Sequence, residues 1–310
     1  MGRREPAGPW RGGQEGTRLL TGLFAPPDAT QAAKRLRVGL AYGNVADLPA
    51  FSTGPRGDAA AIHRAIAAAG YEALQGGDPA LCRDHGLAYI AIGVIPTVAD
   101  AEPFATQAKT AGALGATCIA GYGYESDAEM DALAGEILRV SRDYGLPIYI
   151  ETHRASITQD AWRTVQLARR LPEVRFNGDF SHWFTGQEMP YGDFAARLTF
   201  LAPVFVRTRF LHGRIGDRCS MQVDIGDGTR HPSIPAFRAF WTEAMRGFLA
   251  APDAGPDLWF CPELLGTEYL YARAFPAADG TLREESDRWT QARVLATLAR
   301  ECFAEARTSA

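Results

Sequence analysis

Four short segments carry side chains that could share one cation: ETHR (Glu151 to Arg154), GDFSHW (Gly178 to Trp183), HGRIGD (His212 to Asp217) and PELLG (Pro262 to Gly266). Each follows or ends an apolar run, and together they supply Glu151, Asp179, His212 and Glu263. An isolated carboxylate is costly to bury, so a chain that sets Asp179 beside Phe180 and Trp183 must give it a cation, a metal or dense hydrogen bonding. Three carboxylates and an imidazole brought together would repel one another without positive charge between them. One divalent ion held mainly through oxygen, with a single nitrogen ligand, suits Mn2+ best; Mg2+ or Co2+ would also serve, and Zn2+ fits less well without thiolates. Open positions on such an ion could take the adjacent hydroxyl and carbonyl oxygens of a substrate. Taken singly, each acid has a plainer role as a helix cap, a loop ion pair or a solvated charge, and His212 as a hydrogen-bonded core residue. Their recurrence at the ends of consecutive strands is what favours a shared site.

Eight runs read as strands: RVGLAYG, YEALQ, YIAIGVI, TCIAGYG, PIYIETH, VRFNGDF, RTRFLHG and LWFCPEL. Between them lie helical patterns over 59–70, 128–145, 158–171 and 234–249, with a last one near 287–305. Several close on glycine, and Thr158 or Asp127 could serve as an N-cap. Strands alternating with helices of this length imply a parallel sheet, and eight units imply closure into a single (β/α)8 TIM barrel over 36–310. A doubly wound open sheet is the alternative, because short apolar runs are ambiguous by period. In a barrel, the ends of strands five to eight place Glu151, Asp179, His212 and Glu263 on the one face where the βα loops open.

The 310 residues are 46% hydrophobic, enough for a large core. A formal net charge of −4 and a pI near 5.9 supply no broad cationic field, which argues against general binding to nucleic acid or to an anionic membrane. The five cysteines are scattered, without a CxxC pair, and read as reduced packing thiols of a cytoplasmic protein. No run of about 18 apolar residues suggests a membrane span, and the start MGRREP lacks the apolar stretch of a secretory signal. Residues 1–35, rich in Gly, Pro, Arg and Gln, read as a loosely structured, flexible extension.

The four segments resemble the metal-site segments of the xylose isomerase-like TIM barrel superfamily, in its sugar (phosphate) isomerase/epimerase branch, to which D-tagatose 3-epimerase and hydroxypyruvate isomerase belong. The similarity covers about 36–300, although the specific motifs lie in the second half. The resemblance implies that Glu151, Asp179, His212 and Glu263 bind the metal. It also implies that Glu151 and Glu263 exchange a proton at carbon next to a carbonyl, through a metal-stabilised enediolate. His182 matches a histidine that contacts substrate oxygens. Arg214 resembles a basic residue that binds a substrate hydroxyl, carboxylate or phosphate, for which its planar fork is suited; pairing with Asp217 or a metal-bound carboxylate is the alternative. The expected partner is a small sugar or sugar derivative, with no nucleic acid and no membrane, and the relatives commonly pair into homo-oligomers.

His153 would point away from the site if the fifth strand continues, and could enter it with Arg154 if the strand has ended. Trp183, Phe184, Tyr122, Tyr124 and Tyr42 could wall a sugar or merely pack. The loop SMQVDIGDG (Ser220 to Gly228) could be a lid or a plain hairpin. Two rival activities use the same scaffold. A lyase cleaving 3-oxo-glycosides would share the metal and base. A DNA-cutting AP endonuclease needs further histidines at early strand ends, and here His63 and His85 fall in helix or loop. A noncatalytic barrel would not need all four ligands.

Overall fold

All eight apolar runs form strands: β1 (Arg35–Ala41), β2 (Ala73–Gln75), β3 (Ala88–Ile95), β4 (Gly115–Ala120), β5 (Ile148–Glu151), β6 (Phe176–Gly178), β7 (Thr208–Gly213) and β8 (Asp257–Pro262). The computed structural model describes residues 34–269 and 271–308. Its strands pair in chain order, all parallel, and β8 returns to β1 from Arg35↔Asp257 to Val38↔Phe260. The sheet is therefore a closed barrel, and the open-sheet alternative is overturned. β7 shows why these runs are so apolar: every residue of TRFLHG is buried, because a barrel strand has side chains on one face and helices on the other.

Alternation assigns the two faces. Ala73, Ile90, Phe210, Trp259 and Cys261 pack with Ala88 and Tyr149 as a plug inside the barrel. The intervening residues of these strands, such as Ala91, Cys118 and Phe260, pack outward against the helix layer. Above the plug, the next inward positions form the floor of the barrel mouth. On the outward face, Gly213 allows a close approach of β7 to β8, since a Cβ at this residue would strike the Phe260 ring and come within 3.2 Å of Pro262 Cα. The pairing of β6 with β7 slips by one residue between Phe176 and Asn177, an irregularity of the kind that re-aims side chains at barrel rims.

The outer layer begins with α1 (Ala59–Ala68), α2 (Pro79–Asp84), α3 (Ala101–Thr110), α4 (Asp127–Asp143) and α5 (Ala161–Arg170). Three short helices follow β6, α6 (Ser181–Gly186), α7 (Phe194–Phe200) and α8 (Ala202–Phe205), before the long α9 (Ile234–Ala250) and α10 (Arg288–Thr308). Helix α4 buries Met130, Leu133, Ala134, Ile137 and Val140, the i, i+3, i+4 stripe of an amphipathic helix. Its cap is Ser126, in a reciprocal box with Glu129, so Asp127 is the first helical residue rather than the cap. Likewise Asp160, not Thr158, caps α5. After β8 the chain makes an antiparallel hairpin, β9 (Ala274–Pro276) with β10 (Leu282–Glu284), that the strand pattern did not anticipate. Buried Arg288 fastens it to the barrel by pairing with Glu284 and donating to the carbonyls of Gly43 and Asp47.

The expected extension over 1–35 lies outside the described residues except for its end. Arg35 already belongs to β1, and Lys34 donates from Nζ to the carbonyls of Phe248, Leu249 and Ala251. The five cysteines are free thiols, all buried except Cys219. No helix among the described residues is long and apolar enough to cross a membrane.

Candidate metal centre

Strand β5 stops at Glu151 because Thr158 captures its end. The Thr158 hydroxyl donates to the Glu151 carbonyl at 2.5 Å and accepts from the His153 N–H at 3.0 Å. Asp179 lies one residue past β6, and its Oδ1 accepts from the Ser181 N–H and hydroxyl. That bond realises the turn-capping role open to any aspartate, but it engages one oxygen only. His212 stands within β7, and Glu263 one residue past β8, where its N–H donates to the Gly213 carbonyl at 3.1 Å. One ligand atom from each of Glu151, Asp179, His212 and Glu263 lies within 4.8 Å of the others, and all four residues are buried.

The tautomer of His212 is set by strand β2. Gln75 donates from Nε2 to the Thr117 hydroxyl at 2.6 Å, so its Oε1 accepts from His212 Nε2–H at 2.9 Å. Nδ1 then carries a lone pair, and it sits 3.4 Å from Glu151 Oε2, 3.3 Å from Glu263 Oε2 and 3.8 Å from Asp179 Oδ2. Burial pushes the imidazole pKa below its ordinary value despite the carboxylates nearby, so these contacts join acceptors rather than ion pairs. Asn177, two residues before Asp179 on the same strand face, donates to Glu151 Oε2 at 3.2 Å.

The cation present is Arg214. Its guanidinium is fully buried, pairs through Nη2 with Asp179 and with Glu263 at 2.8 Å, and lies under the Tyr271 ring with Cζ 4.8 Å from the centroid. Burial alone would raise the Asp179 pKa, but Arg214 above all, with the two histidines and the Ser181 hydroxyl, holds it below the usual carboxylate range. Glu151 has no such partner. Burial, then the charges of Glu263 and Asp179, push its pKa well above the ordinary value. With all three carboxylates ionised, one guanidinium leaves two negative charges uncompensated beside the His212 Nδ1 lone pair, which accepts from the Asn177 amide at 3.2 Å. That donor set, acceptors converging with the Gln75 amide fixing the far nitrogen of His212, fits a divalent ion.

His182 is buried in α6, with Nε2 3.7 Å from Glu151 Oε1 and 3.6 Å from Asp179 Oδ2, and neither ring nitrogen has a hydrogen-bond partner. His153 does enter the site, because the strand ends before it: its ring centroid is 4.0 Å from that of His182, and burial lowers its pKa to about 4. Glu151, His153 and His182 form a second group whose ligand atoms lie within the same reach. Arg154 is exposed and places Cζ 5.4 Å from the Tyr271 ring centroid.

Trp183 does not wall the site. It is fully buried between barrel and helices, donates from Nε1 to the Thr158 carbonyl at 2.8 Å and packs against Phe180, since helix α6 turns it away from the face that carries His182. Phe184 packs outward too, against Phe194 and Phe237. Arg214 pairs with the carboxylates instead of Asp217, whose Oδ1 is taken by the N–H groups of Cys219 and Ser220. The loop 220–228 is neither hairpin nor loose flap: Gln222 exchanges two bonds with the Leu265 backbone, and Gln291 of α10 bonds Ile225 and Gly226. Sequence reasoning missed Gln75, Asn177 and Tyr271. The first two were signalled, Gln75 as a polar residue ending a strand and Asn177 by alternation with Asp179; Tyr271 follows no period.

No protein-family model matches the chain, and no curated protein matches it in sequence. Solved structures do match in fold. A D-tagatose 3-epimerase-like protein is 12% identical, with a TM-score of 0.52 over 87% of this chain and 98% of its own. A sugar phosphate isomerase/epimerase from Parabacteroides distasonis is 13% identical, with a TM-score of 0.50 over 91% of this chain and 98% of its own. The chain shares the closed (β/α)8 barrel fold of these two structures. At these identities the likeness concerns the fold, and the chemistry must be argued from the side chains.

Proposed function

We propose that this chain is a divalent-metal-dependent isomerase or epimerase of a sugar or sugar derivative, acting by proton abstraction next to a carbonyl. The observation that carries this reading is the convergence of Glu151, Asp179, His212 and Glu263 within 4.8 Å, where three ionised carboxylates would leave two negative charges unbalanced after Arg214. These four residues would hold the ion, Mn2+ by preference. When bound, such an ion supplies electrophilic polarisation of a carbonyl oxygen. The chain's own groups supply the rest. Glu151 and Glu263 reach the centre from β5 and β8, separated by two strands, and form the acid/base pair. Burial and the neighbouring carboxylates of Glu263 and Asp179 raise the Glu151 pKa above its ordinary value, the direction that strengthens a carboxylate as a base. His182 offers two unpartnered ring nitrogens to substrate hydroxyls, with His153 beside it, and Arg214 holds Asp179 and Glu263 in place.

The test is exchange of carbon-bound hydrogen with solvent deuterium over a panel of ketoses, aldoses and 3-oxo-glycosides, followed by mass spectrometry on metal-loaded protein. Glu151→Gln or Glu263→Gln should lower exchange by about 10²- to 10⁴-fold, the usual contribution of a positioned acid or base. Undiminished exchange in chelator would sink the reading. A new isomer of unchanged mass marks an isomerase, whereas loss of an aglycone marks a lyase.

A further inference from the structure

Next to the candidate metal centre the barrel mouth changes character. In β3, Ala88 and Ile90 belong to the interior plug, and a Cβ on Gly93 would meet Phe104 of α3 in the helix layer. Alternation therefore turns Ile92 and Val94 into the barrel mouth. They are 41% and 55% exposed, large for aliphatic side chains on the inner face of a barrel. Ile92 pairs in register with Thr117 and Val94 with Ile119, so half-buried Ile119 faces the mouth as well. The β4–β5 register runs Thr117↔Tyr149 and Cys118↔Ile150, and its next step sets Ile119 beside Glu151. Val94, Ile119 and Glu151 thus stand in one row across three strands.

One layer below, Thr117 accepts from Gln75, which in turn accepts from His212, so this wall rises directly from the shell of the candidate centre. Tyr122, 53% exposed, continues it at the rim and stacks on Tyr124 with centroids 5.6 Å apart. The rim is held rigidly. The N–H groups of Tyr122 and Gly123 both donate to the Glu125 carboxylate, and Gly121 and Gly123 adopt positive φ to make the turn. Pre-formed apolar surface contiguous with convergent polar groups is the usual make-up of a small-molecule pocket.

We infer that the wall of Ile92, Val94, Ile119 and Tyr122 binds an apolar part of the substrate, an aryl or alkyl group carried on the molecule whose oxygenated carbonyl end reacts at Glu151. The inference rests on the proposed function and narrows it. A bare sugar would leave the aliphatic part of this surface wet, and its hydroxyls would find no partner on Ile92, Val94 or Ile119. A substrate with one polar, chelating end and one apolar end matches both halves of the mouth.

Two hydroxymethyl ketones test this on the Mn2+-loaded full chain: dihydroxyacetone, polar throughout, and hydroxymethyl phenethyl ketone, which carries an aryl group. Deuterium exchange next to the carbonyl is followed for each. The wild type should favour the phenethyl ketone in kcat/KM by about tenfold or more, the worth of some tens of Å2 of buried apolar surface. Combining Ile92→Asn with Val94→Asn should bring the ratio toward one. Leu114→Asn, an equally exposed aliphatic at the opposite end of the barrel, should leave it unchanged. A wild-type ratio at or below one, or a ratio indifferent to the double variant, overturns the inference. If neither ketone exchanges, the functional reading fails, and calorimetric binding of the phenethyl ketone decides the wall: about tenfold weaker binding in the double variant supports it, and equal or absent binding overturns it. Should the double variant instead turn a dimer into a monomer with the ratio unmoved, the wall is a contact between copies of the chain and the inference is wrong.

Discussion

The two halves of the barrel mouth solve opposite problems. From β5 to β8, charged groups are buried so deeply that they depend on one another: Asp179 and Glu263 on Arg214, His212 on Gln75, Glu151 on Asn177. Around β3 and β4, apolar groups stay exposed and depend on nothing: Ile92 and Val94 meet solvent over an intact strand. Burial without partners is expensive for a charge, while exposure costs an aliphatic side chain little beyond its unrealised burial. The polar half is therefore where stability and chemistry are coupled, and the apolar half is where they are separable.

Removing the internal cation should have the largest effect. Arg214→Met leaves Asp179 and Glu263 buried without a counter-charge, and about 3–5 kcal/mol of unfolding free energy should be lost in chelator, measured by denaturant titration. Added Mn2+ should return much of that loss; no change in the stability of either wild type or variant on adding Mn2+ would show that the cluster does not bind it. Gln75→Leu should act more narrowly. It strips His212 Nε2–H of its acceptor and frees the ring to turn, and Mn2+ affinity by calorimetry should fall about 10- to 100-fold. The smallest effect belongs to the other half: Val94→Asn should alter unfolding free energy by no more than about 0.5 kcal/mol. A loss above about 1 kcal/mol there would mean that the aliphatic wall is structural and would erase the contrast.

Much of this architecture was readable from residue order. Eight apolar runs became eight strands because a barrel strand, buried on both faces, tolerates few polar residues until its last position, so polar endings such as Glu151 and His212 stand out. What stayed hidden depended on contacts between distant segments. Arg214 lies three residues from Asp217, yet it turns to Asp179 and Glu263 at the ends of the two flanking strands. Trp183 is adjacent to His182, yet a helix separates neighbours by about 100° and places them on opposite sides of α6. His153 was decided by where β5 stops, and that depends on Thr158, seven residues beyond Glu151. Tyr271 follows β8 in a segment without periodicity, and only its position over Arg214 marks it.

Gly213 separates His212 from Arg214, and the Phe260 ring occupies the space that a side chain there would need. A saturation library along β7 should therefore favour glycine at this codon, because any side chain must displace the Phe260 ring, even under selection for folding without activity. The spacing between His212 and Arg214 is thus guarded by a residue with no chemistry, so attempts to retune the centre by redesign must begin from Phe260.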